Sequence, residues 1–338
     1  MSFGRRLLTL ALAFTMVFSA FAVIAPLTVS AQVPPCGTVL VANTTIIGGL
    51  CATPFAYQVG APGITIRCAA ANPTLTGVAS NVGIVNPGFA NVVITGCTFK
   101  GFATGVEIVG ATGNKILKNT AQNDAWGFNI TTSTSTQVVR NKAVSNNRTG
   151  FNFVSSSLGQ IVGNMALSNF GNGFAFTSDT HDVIDVNTAV LNGINGIDLI
   201  SSTACFLLGN TALANGNDGI LLTAGVLSSS GNLAPSVGNI VYHNVANTNH
   251  HDGIELTDAN ANLVIDNTAK FNQKDGIDLN GGSGVAGPNT MVQNITVNNL
   301  VFNRSDASVG ADSDGTSNWW VVDIAVPPAT TFPPPYLP

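Results

Sequence analysis

Residues 253–272 read GIELTDANANLVIDNTAKFN and contain three short segments in which apolar and polar side chains alternate. Successive side chains of a strand point to opposite faces, so Ile254 and Leu256 face one way and Glu255 faces the other. No window within these residues sustains a helical period. The stretch therefore predicts three short strands separated by turns.

The same pattern recurs along most of the chain, with a period of 22 or 23 residues and one longer interval. The glycine that opens the first segment occurs at Gly105, Gly127, Gly150, Gly173, Gly196, Gly219, Gly253 and Gly276. An asparagine follows, in most repeats after 14 residues, at Asn119, Asn141, Asn164, Asn187, Asn210, Asn244, Asn267 and Asn294. Three strands per repeat correspond to one coil of a β-solenoid, in which stacked coils about 4.8 Å apart share one core.

Three columns of residues are expected to line that core. Two follow the repeat glycine and are aliphatic with an aromatic block, as in Phe128, Phe151, Phe174 and Ile197. The third is alanine two residues after the repeat asparagine, which indicates a tight corner. For the repeat asparagines we expect a structural role, because asparagine tolerates the left-handed conformation of a sharp corner and its amide can bond to the same residue one coil away.

These residues resemble the repeats of the pectate-lyase-like superfamily of right-handed parallel β-helices, from about residue 80 to residue 303. The resemblance implies an all-β, single-stranded parallel β-helix of about ten coils with an asparagine ladder. It also implies that a groove over the first strand of each coil binds polysaccharide.

Four segments are expected. Residues 1–31 resemble a secretory signal peptide with Arg5, Arg6, an apolar stretch and Pro26 before a small-residue cleavage site, although an uncleaved anchor is the alternative. Residues 32–80 are expected to form an N-terminal cap and irregular coils, residues 81–303 the parallel β-helix, and residues 304–338 a C-terminal cap and Pro-rich tail.

Composition limits the possible partners. The hydrophobic fraction of 45% excludes a disordered chain, and only the N-terminus approaches membrane-spanning length. Removing the signal peptide removes two of 12 basic residues and leaves 17 acidic ones, a net charge of 10 − 17 = −7. We therefore expect a secreted monomer that binds neither nucleic acid nor, after cleavage, a membrane.

Export favours disulfides among the five cysteines. Cys36 and Cys51 can close the cap, and Cys68 and Cys97 can form a bridge if they stack on adjacent coils, which leaves Cys205 free.

Acidic residues concentrate at one place in the repeat. Asp252 and Asp275 precede the repeat glycine, while Glu255 and Asp278 occupy the outward position of the first strand. Because these coils are adjacent, the sequence predicts a cluster of four carboxylates on one outer face, accompanied by His251 and Lys274. Like charges about 5 Å apart require a cation or a raised pKa.

An oxygen-only cluster favours Ca²⁺, so Asp252, Glu255, Asp275 and Asp278 are candidate metal ligands as well as catalytic residues. In the superfamily, a Ca²⁺-bridged uronate beside a basic residue is the lyase scheme, which makes His251 or Lys274 the candidate proton acceptor. The stretch Asp179-Thr180-His181-Asp182 resembles the Asp-Pro-His-Asp motif of alginate epimerases and lyases, but Thr180 replaces proline and the motif falls in a turn.

Two functional hypotheses follow. The first is a polysaccharide lyase or C5 epimerase acting on uronates, with a glycoside hydrolase less favoured. The second is a non-catalytic surface scaffold that binds carbohydrate. The arginine base of pectate lyases has no counterpart on these coils, so the sequence leaves catalysis open.

Overall fold

The computed structural model describes residues 33–226, 233–280, 288–307, 318–321 and 324–326. The predicted signal peptide, most of the loop 281–289 and the Pro-rich tail lie outside the described residues. No helix long and apolar enough to cross a bilayer occurs in the described part of the chain.

The regular elements of the described residues are strands, numbered here in chain order. The first four coils contain β1 Thr38–Leu40, β2 Thr44–Ile46, β3 Gly49–Leu50, β4 Phe55–Val59, β5 Thr65–Cys68, β6 Thr74–Thr76, β7 Val82–Asn86, β8 Val93–Thr95, β9 Thr98–Lys100, β10 Thr104–Val109, β11 Lys115–Leu117 and β12 Thr120–Gln122. Coils 5 to 8 contain β13 Trp126–Thr131, β14 Gln137–Val139, β15 Lys142–Val144, β16 Phe151–Val154, β17 Gln160–Val162, β18 Met165–Leu167, β19 Phe174–Thr177, β20 Val183–Asp185, β21 Thr188–Val190, β22 Ile197–Ile200, β23 Phe206–Leu208 and β24 Thr211–Leu213. Coils 9 to 12 contain β25 Ile220–Thr223, β26 Gly225–Val226, β27 Leu233–Ala234, β28 Ile240–Tyr242, β29 Val245–Asn247, β30 Ile254–Thr257, β31 Leu263–Ile265, β32 Thr268–Lys270, β33 Ile277–Asn280, β34 Thr290–Val292, β35 Ile295–Val297, β36 Arg304–Asp306, β37 Trp319–Val321 and β38 Ile324–Val326.

The strands of successive coils stack into three parallel sheets of twelve strands each, and β26 and β27 form an antiparallel hairpin. Sheet 1 contains the first strand of every coil, from β1 to β36, and sheets 2 and 3 contain the second and third strands. The predicted parallel β-helix is confirmed. It has twelve levels where we predicted about ten, because the strands between Thr38 and Thr76 already belong to these sheets.

The asparagine ladder is confirmed in detail. Asn187 accepts the backbone N–H of Asn164 on its Oδ1 (2.9 Å). Its Nδ2 donates to the carbonyl of Ile161 (2.7 Å) and to Oδ1 of Asn210 (3.1 Å). Each side-chain amide in the column therefore links three coils. Because these asparagines are buried, the hydrogen bonds between coils take the place of hydrogen bonds to water.

The expected left-handed conformation of the ladder asparagines is wrong. The left-handed residue of this corner is the one that precedes them, as at Lys118, Arg140 and Val186. That residue forms the bend between the strands of sheets 2 and 3, so the asparagine that follows it can point its side chain inward.

Packing explains the repeat glycine and the alanine column. A Cβ added at Gly253 would lie 2.5 Å from the carbonyl oxygen of Gly276 and 2.7 Å from the Cβ of Ala269. Close approach between sheets 1 and 3 therefore requires both small residues. Next to this corner the aromatic block stacks ring on ring, with centroids 4.8 Å apart for Phe128 and Phe151 and 4.7 Å apart for Phe151 and Phe174.

The cysteine predictions are also confirmed. Disulfides join Cys36 to Cys51 and Cys68 to Cys97, and Cys205 is free and buried. The first bridge closes coil 1, and the second links neighbouring coils.

Three ladder positions carry aspartate in place of asparagine or serine. Asp124, Asp179 and Asp182 each accept one backbone N–H, from Phe102, Ser156 and Gly159 respectively. Their second carboxyl oxygens are buried and have no hydrogen-bond partner among the described residues. At the equivalent place Asn146 has an Nδ2 that donates to a carbonyl and to Asn169.

Burial raises the pKa of Asp124 to about 7, of Asp179 to about 8 and of Asp182 to about 6. The ladder thus favours the protonated acid, which can supply the missing donor.

We predict that Asp124→Asn stabilises the protein at pH 8 but has little effect at pH 4. The folded state keeps protons that the unfolded chain releases above its ordinary pKa of 3.8, so the free energy of unfolding falls as the pH rises through about 7. Asparagine removes this loss and restores a donor, a gain on the order of 1–2 kcal/mol at pH 8. Denaturant unfolding at both pH values measures it. Asp185→Asn, which changes a partly exposed acid, is the control, and an equal effect of both variants would contradict the prediction.

Candidate functional site

The predicted acidic residues lie where the third turn of a coil enters sheet 1. Glu255 in β30 and Asp278 in β33 are direct neighbours in the parallel register. Glu255 is partly exposed, whereas Asp278 is buried, with 5% of its surface exposed. Asp252 and Asp275 end the preceding turns and are buried, with 0% and 2% of their surfaces exposed. The sequence placed these four residues on the coils where the structure has them. It predicted all four on one outer face, whereas Asp252, Asp275 and Asp278 are buried.

The buried column to which Asp252 and Asp275 belong is itself a ladder. At each step a side-chain oxygen accepts a hydrogen bond from a backbone N–H of the following coil. Written as donor to acceptor, the bonds are Asn195 to Asn172 (3.0 Å), Asp218 to Asn195 (3.1 Å), Asp252 to Asp218 (3.0 Å), Asp275 to Asp252 (2.7 Å) and Phe302 to Asp275 (2.7 Å). Only an acceptor is needed here, so asparagine and aspartate serve equally. The sequence signal for this structural role was that Asp218, Asp252 and Asp275 occupy the same repeat position as Asn172 and Asn195.

Lys274 joins two of the predicted acids. Its Nζ lies 2.8 Å from Oδ2 of Asp252 and 2.9 Å from Oδ2 of Asp278. Burial acts to lower the pKa of Lys274, but the hydrogen bonds to these two carboxylates outweigh it, so the pKa is raised. Lys274 is therefore a persistent cation, which argues against its predicted role as proton acceptor.

His251 holds the equivalent place one coil earlier. Its Nδ1 lies 2.7 Å from Oδ1 of Asp218, 3.0 Å from Oδ2 of Asp252 and 3.7 Å from Oε2 of Glu255. Burial acts to lower the pKa of His251, but the hydrogen bond to Asp218 and the nearby negative charges raise it above its ordinary 6.5. The raised pKa favours the protonated imidazole, and about a third of its side chain is exposed.

Burial also raises the pKa of the turn carboxyls, to about 6 for Asp252 and to about 7 for Asp218 and Asp275. Neighbouring acids, Glu255 for Asp218 and Asp252 for Asp275, act in the same direction. The repulsion between carboxylates that the sequence predicts is therefore reduced by groups of the protein itself: by Lys274, by His251 and by protons held on buried carboxyls. We call Asp218, His251, Asp252, Glu255, Lys274, Asp275 and Asp278 the acid–base cluster.

Two sets of possible metal ligands occur within the described residues, and they share Asp252. Asp218, His251, Asp252 and Glu255 form one set, and Asp252, Asp275 and Asp278 form the other, each with ligand atoms within 4.8 Å of one another. The four residues predicted from the sequence as one calcium site are thus divided between the two sets. The set with an imidazole nitrogen suits a transition metal, whereas the all-carboxylate set suits a hard cation that would replace Lys274.

Asp198 extends the outward column of sheet 1, two coils before Glu255. It is 5% exposed, and its Oδ2 accepts a hydrogen bond from Nδ2 of Asn172 (2.8 Å). Burial raises its pKa to about 6. The leucine between them, Leu221, separates Asp198 from the acid–base cluster.

The stretch that resembles the epimerase motif lies in the turn between sheets 1 and 2, and its two aspartates are the buried ladder residues Asp179 and Asp182. His181 is exposed on the same turn. These residues are not part of the acid–base cluster, and their hydrogen bonds show a structural role.

The described architecture is a parallel β-helix with an acid–base cluster beside sheet 1. The family described as periplasmic copper-binding protein (NosD) matches residues 90–232 and 173–321, which together cover more than two thirds of the chain. The chain belongs to this family. No curated protein matches its sequence.

Solved structures with the same fold include enzymes that act on polysaccharides. The A-module of mannuronan C-5 epimerase AlgE6 from Azotobacter vinelandii is 15% identical over 88% of this chain and 92% of its own, with a TM-score of 0.63. The periplasmic alginate epimerase AlgG is 13% identical over 83% of this chain and 84% of its own, with a TM-score of 0.58. The catalytic domain of a GH87 alpha-1,3-glucanase is 11% identical over 84% of this chain, with a TM-score of 0.66, and this chain spans only 61% of its length.

We predict that Lys274→Gln destabilises the protein more at pH 8 than at pH 5. At pH 8 the variant leaves the buried carboxylate of Asp252 without its cation, at a cost of about 1–3 kcal/mol. At pH 5, below the pKa of about 6 for Asp252, the carboxyl is protonated and depends less on lysine. Thermal or urea unfolding at the two pH values measures the difference. Lys270→Gln, which alters a lysine without an ion pair in the described residues, is the matched control, and equal losses at both pH values would contradict the role assigned to Lys274.

Proposed function

We propose that this protein works outside the cytoplasm, binds an acidic polysaccharide over sheet 1, and acts on uronate residues at the acid–base cluster as a lyase or C5 epimerase. The observation that carries the proposal is the arrangement of two partly exposed cations, Lys274 and His251, between outward and buried carboxyls on one face. The polysaccharide enzymes with this fold support the substrate class by analogy of fold.

The extracytoplasmic location is supported by two kinds of observation. Disulfides such as Cys36–Cys51 form and persist in oxidising compartments. The family to which the chain belongs is described as periplasmic.

Both reactions begin with removal of the proton on C5 of a uronate, next to its carboxylate. The carbanion is accessible only if the substrate carboxylate is neutralised, and Lys274 is the group suited to this because it stays cationic and has one N–H beyond the two bonded to Asp252 and Asp278. A proton acceptor must stand on the other side of C5. His251 in its neutral form, or Glu255 beside it, has the required chemistry, and their side chains are 36% and 12% exposed.

The outcome depends on the second proton transfer. In a lyase, the electrons of the C5–H bond form a C4–C5 double bond, the C4–O bond breaks, and the leaving oxygen takes a proton. In an epimerase, C5 takes a proton back on the opposite face. The pKa of Asp252 is about 6 and that of Asp275 is about 7, so these carboxyls hold a proton that the cluster can supply in either step.

We predict that polymannuronate or polygalacturonate is turned over by the wild type and that Glu255→Gln or Asp278→Asn lowers the rate by at least about tenfold. Ultraviolet absorbance of unsaturated product detects a lyase, and proton exchange at C5 followed by NMR detects an epimerase. The matched control is Glu107→Gln, which changes an outward acid of sheet 1 in coil 4. Polymer retention without product or proton exchange would contradict the enzyme and favour the carbohydrate-binding scaffold.

Metal binding is the second candidate function, favoured by the family and by the set Asp218, His251, Asp252 and Glu255. One imidazole nitrogen with three carboxylates suits Cu²⁺. Cu⁺ prefers sulfur ligands. Of the sulfur side chains outside disulfides in the described residues, Cys205 and Met291 are fully buried and Met165 is partly buried, and none belongs to this set. When bound, the ion would supply a Lewis acid at this face. The calcium predicted from the sequence fits the set of Asp252, Asp275 and Asp278 only if Lys274 moves away from two of them.

We predict that Cu²⁺ binds to the full chain with a nitrogen hyperfine signal in its electron paramagnetic resonance spectrum, and that His251→Gln removes the signal. His250→Gln is the control because His250 is adjacent but bonds the carbonyl of Asn215. Ca²⁺ is titrated in parallel while thermal unfolding is followed. An unchanged copper signal in His251→Gln would exclude this set, and a Ca²⁺ stabilisation lost in Asp278→Asn would identify the other.

A further inference from the structure

A second charged surface lies far from the acid–base cluster, at the corner where sheet 2 turns into sheet 3 in coils 4 and 5. Four cations project there, and we call them the basic corner: Lys115, Lys118, Arg140 and Lys142. All four are exposed. Six coils separate this corner from coils 10 and 11, roughly 30 Å along the axis at about 4.8 Å per coil.

The register places these side chains close together. Lys118 and Arg140 occupy equivalent left-handed positions, with φ of 54° and 55°, directly before the ladder residues Asn119 and Asn141. The backbone N–H of Lys118 donates to the carbonyl of Val139, which fixes the two turns against each other (3.0 Å). Lys115 begins β11, and Lys142 begins β15, one on each side of the corner.

Within the described residues, no acid pairs with this corner. Residues 33–178 contain two acidic residues: Glu107 on the outward face of sheet 1, and Asp124, which is buried in the third turn. None of the four cations forms an ion pair within the described residues. Unneutralised like charges on adjacent strands destabilise a sheet, so the arrangement is unfavourable for the isolated protein.

The corner is also open on both sides. The position of Lys118 and Arg140 is Gly96 in the preceding coil and Gly163 in the following one. These glycines carry no side chain that would cover the cations, and a Cβ built on Gly163 would have the aliphatic stem of Arg140 as its nearest neighbour, at 3.7 Å. A linear ligand can therefore run along the axis past both cations.

We propose that the basic corner is a second binding site for an acidic polysaccharide, whose carboxylates pair with Lys118 and Arg140 on successive coils. Arginine binds carboxylates in a bidentate way and lysine acts as a point charge, so the pair can hold two successive acidic sugars. The proposal rests on the proposed function only for the class of polymer, since the two sites share no residue.

Two other anionic partners fit the corner less well. Peripheral membrane binding combines cations with apolar side chains that enter the bilayer, and in coils 4 and 5 the one exposed large apolar residue is Val109, at the end of the sheet 1 strand. Nucleic acid is disfavoured by the net charge of −5 for the whole chain.

The test compares two double variants that remove the same charge from the full chain. Lys118→Gln/Arg140→Gln alters the basic corner. Lys100→Gln/Arg148→Gln removes one exposed lysine and one exposed arginine near the turn between sheets 3 and 1, away from that corner. Calorimetric titration at low salt measures binding of alginate and polygalacturonate oligomers, with dextran as the neutral control. Vesicles containing phosphatidylglycerol are measured in parallel, and thermal unfolding verifies that both variants fold.

We expect the corner variant to lose at least about tenfold in affinity for the acidic oligomers and the matched variant to lose less than about twofold. Equal losses would show that net charge alone drives binding and would overturn the site, as would binding of vesicles without binding of oligomers. Turnover is assayed separately with Lys274→Gln. If the oligomers bind through the corner but no product forms and Lys274→Gln changes nothing, the proposed function fails while the corner stands.

Discussion

The structure depends on one hydrogen-bond arrangement: a buried side-chain amide that bonds to the coils on both sides of it. A solenoid coil buries too little to fold alone, so its register must be fixed by contacts that repeat at the spacing of the strands. The amide of Asn187 fulfils this condition because it accepts an N–H and donates two bonds at once. The alanine and phenylalanine columns then fit, since equivalent atoms stand directly above one another.

The same arrangement explains why acids are found in the interior of a chain with few charges. A ladder that needs only an acceptor admits aspartate in place of asparagine, as at Asp218, Asp252 and Asp275. Such an aspartate keeps a second oxygen, which either takes a proton, as the raised pKa of Asp275 indicates, or attracts a cation, as Asp252 attracts Lys274. The acid–base cluster is thus a modification of the structural ladder at the point where it approaches the outer face of sheet 1.

The sequence predicted the coil, its inward columns and the stacking of Glu255 on Asp278, because a strict repeat makes sequence position and spatial position equivalent. It did not reveal that Asp252 and Asp275 are buried ladder residues, since a sequence gives the column but not the direction in which a turn side chain points. It also assigned the left-handed conformation to the wrong residue, because Lys118 and Arg140 show no preference for it. The backbone bend that coil stacking imposes at these residues overrides their intrinsic conformational preference.

The sequence by itself determined the period and the sheets, since these follow from which residues recur at one spacing. Only the tertiary structure decided how charge is balanced. Whether His251 lies against Asp218 or Glu255, and whether Lys274 reaches two carboxylates, depends on differences of about an ångström in side-chain position between neighbouring coils. Electrostatic energy changes steeply over such distances in a buried site, so a repeat pattern cannot resolve it.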